Sequence, residues 1–461
     1  MKKIIILLTI IVIIAISTPI IGSKMMDKKI TDELSLLESN GVYVEDSSKN
    51  YSYLTTKIDY KFIIKDSDKF VNYLQQFNDS KLQPYVNDIV DGIVIGIDLK
   101  YSNIPFINSD AISLDIYPLV LSKKFMDRVS KNDTNFYQFL ENFLQKKALL
   151  YHIDYNIVES KFDGFIKDIN EVYHTKNGKK LTFNLINSSF NGDGFPLKPR
   201  KIDSKTKEFS FYIDETDKKT KFICKNLDSS IKMDSNNLYS YTEKVESFNF
   251  KINNINNLNR SVDIKNLLVT LSSSIEQNKI QFSNKIKFDK FQIMNHNKNI
   301  SLDSLNYDFM IKNIDKDSYE KLRSLLIESK YLQSKRLNHK ISKTIIQIFA
   351  KGLEINLVDF SVENIDYFKN KNLNGFDFKG DLILKEDSSL ANKTKYDNDL
   401  LMKNLDLKSS LNISTKLFNT LVKEFPLIMV AKIYAVESNG NFTYDVKLED
   451  GHLNINDKLF R

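Results

Sequence analysis

Between Leu54 and Ile64 the mostly apolar residues Leu54, Thr56, Ile58, Tyr60, Phe62 and Ile64 alternate with Thr55, Lys57, Asp59 and Lys61. A period of two puts the two sets on opposite sides of a pleated strand, so this stretch predicts a half-buried strand. The alternation recurs at Ile93, Ile95, Ile97 and Leu99, at Phe209, Phe211 and Ile213, and at Ile280, Phe282, Ile286 and Phe288. It returns in Phe442, Tyr444, Val446 and Leu448, where Asp450 and Gly451 make a two-residue hairpin turn into Leu453 and Ile455.

Helical spacing interrupts the strands sparingly. Phe136, Phe139, Leu140, Phe143 and Leu144 follow Asp133 and Thr134, while Ile345, Ile346 and Phe349 follow Ser342 and stop at Gly352. Three times a strand passes through a polar cap straight into an amphipathic helix: Ile58 to Phe77, Leu305 to Leu326 and Leu407 to Phe425. These units are too irregularly spaced for a solenoid. The expected fold is therefore α+β and β-rich, with long antiparallel strands forming a curved sheet, capping amphipathic helices, and one transmembrane helix in front.

That last element rests on Ile4 to Ile21, an apolar run without charge, preceded by Lys2 and Lys3. At about 1.5 Å per residue it just reaches across a bilayer. A cleavable signal peptide is the alternative reading, with Ala15 and Ser17 as a small-x-small site, but the run is longer than a usual signal core. Lys2 and Lys3 keep the short N-terminal side cytoplasmic. The expectation is a single-pass protein of the inner, cytoplasmic membrane, held through residues 4–21, with its body in the periplasm. No second apolar run spans; Pro426 to Ala435 is short and carries Lys432, so it reads as a buried core element. Domain boundaries are expected at 1–24 for the anchor, 25–260 for an N-terminal β-rich body and 261–461 for a C-terminal β-rich body with the strand-to-helix units.

Composition narrows the function classes. The net charge of +7 comes from 66 basic and 59 acidic residues spread along the chain, without the basic run that marks a nucleic-acid tail. Nucleic acid is excluded as a partner, and a weak attraction to anionic headgroups stays open. Only 13 Gly and 7 Pro among 461 residues argue for a body folded nearly throughout. The single cysteine, Cys224, excludes an intramolecular disulfide and reads as a small buried hydrophobe.

No residue is singled out as catalytic, cofactor-binding or metal-ligating. His152, His174, His296, His339 and His452 are dispersed, with no pair at the spacing of a zinc helix. Asp315, Asp317 and Glu320 lack the glycine and spacing of a calcium loop; Asp317 with Glu320 reads as a capping box. Asn191, Gly192, Asp193 and Gly194 read as a turn.

The order of elements over most of the chain resembles the DUF945 (YdgA-like) family of membrane-anchored bacterial proteins of unknown function. The likeness is most specific in the C-terminal hairpin, Tyr444 to Leu448, Gly451, Leu453, Ile455, Asn456 and Lys458, and in the unit Leu407 to Phe425. Asp457 stands where the family has Gly; a Gly-aromatic-x-Ser stretch is missing around Tyr53 to Thr56, and a His-Gly-Pro element is reduced to Pro105 and Phe106. The resemblance implies location and architecture and carries over no catalytic residue or cofactor.

The expectation is a non-enzymatic envelope scaffold or binding protein with an envelope lipid or protein as partner, its oligomeric state open. Two alternatives accompany it: a lipid or hydrophobic-ligand carrier whose sheet forms an apolar groove, on the plan of the AsmA-type anchored proteins, and a hydrolase with unrecognised carboxylates. A continuously apolar sheet face distinguishes the first, a cleft with paired acids the second.

Overall fold

Alternating patterning wins over most of the chain because a strand with one apolar and one polar side is stable only when paired with others of the same phase. The computed structural model describes residues 24, 26–28, 30–75, 85–104, 112–175, 178–196, 198–235, 238–254, 259–296, 298–329, 334–368, 370–391 and 403–460. Residues 4–21, together with Phe77, Pro105 and Phe106, lie outside them. No helix among the described residues is long and apolar enough to cross a membrane.

The chain divides into two units, Met1–Glu215 and Thr216–Arg461; the sequence reading placed a division at 260/261. The first unit opens with helix α1 (residues 30–39) and strands β1 (Val42–Tyr51) and β2 (Thr55–Ile64). Helices α2 (Ser67–Gln75) and α3 (Tyr85–Val90) lead to β3 (Val94–Ser102) and β4 (Ile112–Val120), and α4 (Lys123–Asn132) and α5 (Thr134–Gln145) to β5 (Tyr151–Asn156). Then come β6 (Lys161–Ile166), β7 (Ile169–His174), β8 (Lys180–Phe195) and β9 (Lys198–Asp214). Neighbours pair antiparallel in order from β1 to β6; β6 and β7 then share one side of the longer β8, and β9 takes the other. Helix α1 lies on the apolar face of β2 and β3, where Met26, Ile58, Leu99 and Tyr101 are buried together.

The second unit is a longer meander: β10 (Lys218–Ser235), β11 (Leu238–Asn254), β12 (Arg260–Glu276), β13 (Lys279–Asn295) and β14 (Lys298–Asp315). After α6 (Lys316–Ser329) and α7 (Lys335–Ala350) it resumes with β15 (Leu353–Tyr367), β16 (Asn370–Leu384), the short α8 (Ser388–Ala391) and β17 (Leu405–Ser414). Helix α9 (Thr415–Glu424) and a 3₁₀ segment (Pro426–Tyr434) precede β18 (Val436–Ser438), β19 (Asn441–Glu449), β20 (His452–Ile455) and β21 (Lys458–Leu459). Strands β10 to β17 pair antiparallel in chain order, and β19 closes on β17 with β18 and β20 on its far side. A strand of 17 residues such as β12, at about 3.3 Å per residue, is about 55 Å long.

The three strand-to-helix units are present as β2 into α2, β14 into α6 and β17 into α9. Several local expectations are corrected. Helix α6 is capped by Asp315, whose Oδ1 accepts from the Ser318 backbone N–H at 2.9 Å, and not by Asp317. Asp315 wins because it ends β14 and also takes Lys351 Nζ at 2.6 Å. Helix α7 starts at Lys335 behind the N-cap Ser334, well before Ser342. Asn191 to Asp193 run inside β8 rather than in a turn, since the ladder to β6 and β9 claims their backbone. Gly192 is needed there because a Cβ would come within 2.3 Å of the Lys201 carbonyl and 2.4 Å of the Phe162 ring. Cys224 is only partly buried.

The largest correction concerns Pro426 to Ala435, which is not core. Ile428, Ala431 and Ala435 rest on the cluster of Leu417, Phe418 and Phe442, but Leu427 is 89% and Ile433 67% exposed. A 3₁₀ turn of three residues can bury only one side of so apolar a segment.

Candidate functional site

Residues directly opposite in a ladder share a face, so the pairings trace what each face of the second unit carries. One row crosses the strands as Phe222, Phe250, Val262, Ile293 and Ile300. The next runs Cys224, Phe248, Ile264, Phe291 and Leu302. Further along the strands come Val269, Ile286, Tyr307 and Phe360, then Phe282, Ile311, Ile355 and Leu382. The opposite face is polar, as in the row Asn249, Asp263, Gln292 and Ser301.

Along these strands the apolar pattern changes phase by one residue. At Asn226, Asn266 and Ser304 the backbone enters the left-handed region, with φ of 50°, 52° and 55°. Each such residue shifts the side-chain phase by one. Thus Leu302 before Ser304 and Leu305 after it pack on one cluster. The crease continues from strand to strand: Asn226 Nδ2 donates to Glu246, and Asn266 Nδ2 to Asp289 Oδ2 at 2.6 Å. In β8 of the first unit Asn187, with φ 49°, takes the same conformation. These residues recur about 40 residues apart, one for each pair of strands.

Helices cover the apolar face only at its margins. Ile348 and Phe349 of α7, with Tyr319 and Leu322 of α6, pack on Ile275, Ile280 and Phe282 at one end of the strands. Helix α9 and the 3₁₀ segment cover Leu302, Leu305 and Tyr444 towards the other. Beside Leu302 and on towards β11, Phe248, Phe250, Ile264, Phe291 and Ile293 are all half-buried. Polar groups are set into the face as well: Glu243, opposite Val269, and Asn284 Oδ1 and the Tyr444 hydroxyl, both buried and without a hydrogen-bond partner among the described residues. Burial also pushes the Tyr444 pKa up. Burial, followed by the nearby Glu243 carboxylate, pushes the Cys224 thiol up, which keeps it a neutral, unreactive part of the face.

The polar face of β16, β17 and β19 holds an open groove of about 810 Å³, lined by Lys379, Lys408, Ser410, Asp445, Lys447 and Asn454 among others. Its charges are mixed and all belong to a solvated side, so it presents no convergent chemistry.

In the first unit one histidine meets acids. His152 Nδ1 lies 2.6 Å from Asp115 Oδ1 and Nε2 lies 3.0 Å from Asp154 Oδ2, with the ring stacked on Phe165. Burial opposes its charge, but the hydrogen bonds and charges of the two carboxylates outweigh burial and hold its pKa above the usual histidine value. Beside it Asp98 accepts from the Tyr117 hydroxyl at 2.6 Å and from Lys147 Nζ at 2.8 Å. Three carboxylates, Asp98, Asp115 and Asp154, thus share Lys147 and the one imidazole of His152. His174, His339 and His452 are exposed, His296 sits in a turn with φ 56°, and the structure brings none of them to His152. Among the described residues no group of three or more His, Cys, Asp or Glu is placed to hold a metal ion.

No family model, no curated protein and no solved structure matches the chain.

Proposed function

We propose that this is a membrane-anchored envelope protein whose long sheet shelters the hydrocarbon part of a lipid on its apolar face. The observation that carries the reading is the largely apolar, half-buried side of β10 to β14, which Glu243 interrupts with a charge and which helices cover in part. The creases support the reading further, because the sequence pattern slips by one residue at each of them and the apolar side chains on both sides of it still meet on one face.

The anchor is residues 4–21, whose length and lack of charge support a single crossing with the body in the periplasm. The likeness to the DUF945 family fits that location.

The test is site-specific photocrosslinking of the full chain in its native membrane. A photoreactive residue at Ile264 or Phe291 is expected to capture lipid, detected as a mass shift, whereas the same residue at Asp263 or Gln292 on the polar face is not. Equal capture on both faces, or capture on neither, overturns the proposal.

A further inference from the structure

The 3₁₀ segment that follows α9 puts its apolar side outward. Phe425, Leu427, Met429, Val430, Ile433 and Val436 are all exposed, and Leu459 and Phe460 add to the same surface. The last two are brought there by the C-terminal strands, where the Phe460 ring lies 5.4 Å from that of Tyr434. From this geometry we infer that the surface is a membrane-contacting element, which enters the outer part of a lipid leaflet and sets how the second unit meets the bilayer.

Three observations select lipid over a protein partner. Five of the eight side chains are aliphatic, the others being Met429, Phe425 and Phe460, while protein interfaces concentrate their binding on Trp, Tyr and Arg. The segment's backbone is satisfied from within, as hydrocarbon requires and water does not. The Ile428 N–H donates to the Phe425 carbonyl at 3.0 Å, and the Ala435 N–H to that of Lys432 at 3.2 Å. The last carbonyls, which a helix end leaves open, accept from the protein too: Ile433 O from Lys458 Nζ at 3.0 Å and Tyr434 O from Asn456 Nδ2 at 2.7 Å. Finally, Lys432 is the one charged residue from Phe425 to Val436, with Glu424 and Glu437 falling just outside. Its ammonium lies 5.7 Å from the centre of the Phe442 ring, and the flexible stem lets the charge turn to headgroup phosphates when the segment meets a bilayer.

The segment is also held firmly from beneath, where Ile428, Ala431 and Ala435 pack on the cluster around Phe418. Insertion therefore needs no refolding, and it does not depend on whether the sheet face carries a ligand.

Spin labels on the full chain test it, in a Cys224→Ala background and in vesicles of phosphatidylcholine and phosphatidylglycerol. Labels at Leu427→Cys and Ile433→Cys are expected to gain oxygen collisions and lose collisions with a water-soluble nickel chelate. A label at Lys447→Cys, on the polar face, is expected to stay open to nickel. If labels 427 and 433 stay open to nickel, the segment does not meet lipid. If they lose both kinds of collision, a protein surface covers them, and the inference fails equally. As a second arm, Leu427→Glu with Ile433→Glu is expected to return a label at Val430→Cys to water without moving the thermal midpoint, since neither side chain is buried. A label that stays in lipid there overturns the assignment.

Discussion

Single side chains show where charge is used to hold the fold. Asp315 caps α6 and pairs with Lys351 across the turn between α7 and β15. Burial works against its carboxylate, yet the Lys351 and Ser318 contacts outweigh burial and bring the pKa down to about 2. A depressed folded pKa contributes stability that is complete above the unfolded value near 4 and is lost as pH falls through about 2. Asp315→Ala is expected to cost about 1–2 kcal/mol at neutral pH, the loss of a cap and a charged hydrogen bond. Denaturant titrations of the variant and the parent should therefore converge as pH falls from about 4 to 2. A gap that persists at the lowest pH assigns the cost to something other than the carboxylate. His152 has the opposite sign. Its folded pKa is raised, so its contribution is complete below the unfolded value and disappears as pH rises through the folded one. His152→Leu is expected to remove the decline in thermal midpoint that the parent shows on going from mildly acid to alkaline buffer; an unchanged decline shows that His152 does not carry it.

At the scale of elements, the creases decide how much the chain disclosed. The three strand-to-helix units and the final hairpin were legible because each rests on a local rule. Asp450 and Gly451 take φ of 51° and 80°, as a two-residue turn demands. The creases were not legible, since an alternation that slips by one residue looks like a weak strand in any short window. Phe222, Cys224, Leu227 and Ile231 belong to one strand but match no single period. Likewise the cap of α6 was misplaced by two residues because Asp315 and Asp317 are chemically alike, and only the end of β14 chooses between them. The exposed 3₁₀ segment was misread for a plainer reason: apolar composition predicts burial in some partner, and a bilayer is a partner that a folded body does not contain. The crease makes a direct prediction. Asn266 tolerates φ of 52° where a β-branched residue does not, so Asn266→Val is expected to destabilise by about 1–3 kcal/mol and Asn266→Gly by much less. If the two variants have the same denaturation midpoint, left-handed backbone is not what that position requires.

For the whole molecule, the two units share a plan, a meander of strands with one apolar face and helices at its margins. The first closes much of that face under α1 and α5, as in the contact of Phe136 and Phe139 with Tyr173. The second leaves the middle of its face half-open. That difference was hidden in the sequence, because alternating patterning reports which residues are apolar and says nothing of what lies over them.

The crease has a bearing on how such a sheet changes size. In β10, β12 and β14 a left-handed residue sits at the same height, each about 40 residues after the one before. Insertion or loss of a whole pair keeps the pleat in phase with its neighbours and moves the edge by about 10 Å, two strand spacings. Loss of a single strand reverses chain direction and strands the partner's apolar side in water. Width in this architecture is therefore quantised: it grows in steps, and the length of chain that a relative could gain or lose without penalty is fixed by the distance between one crease residue and the next.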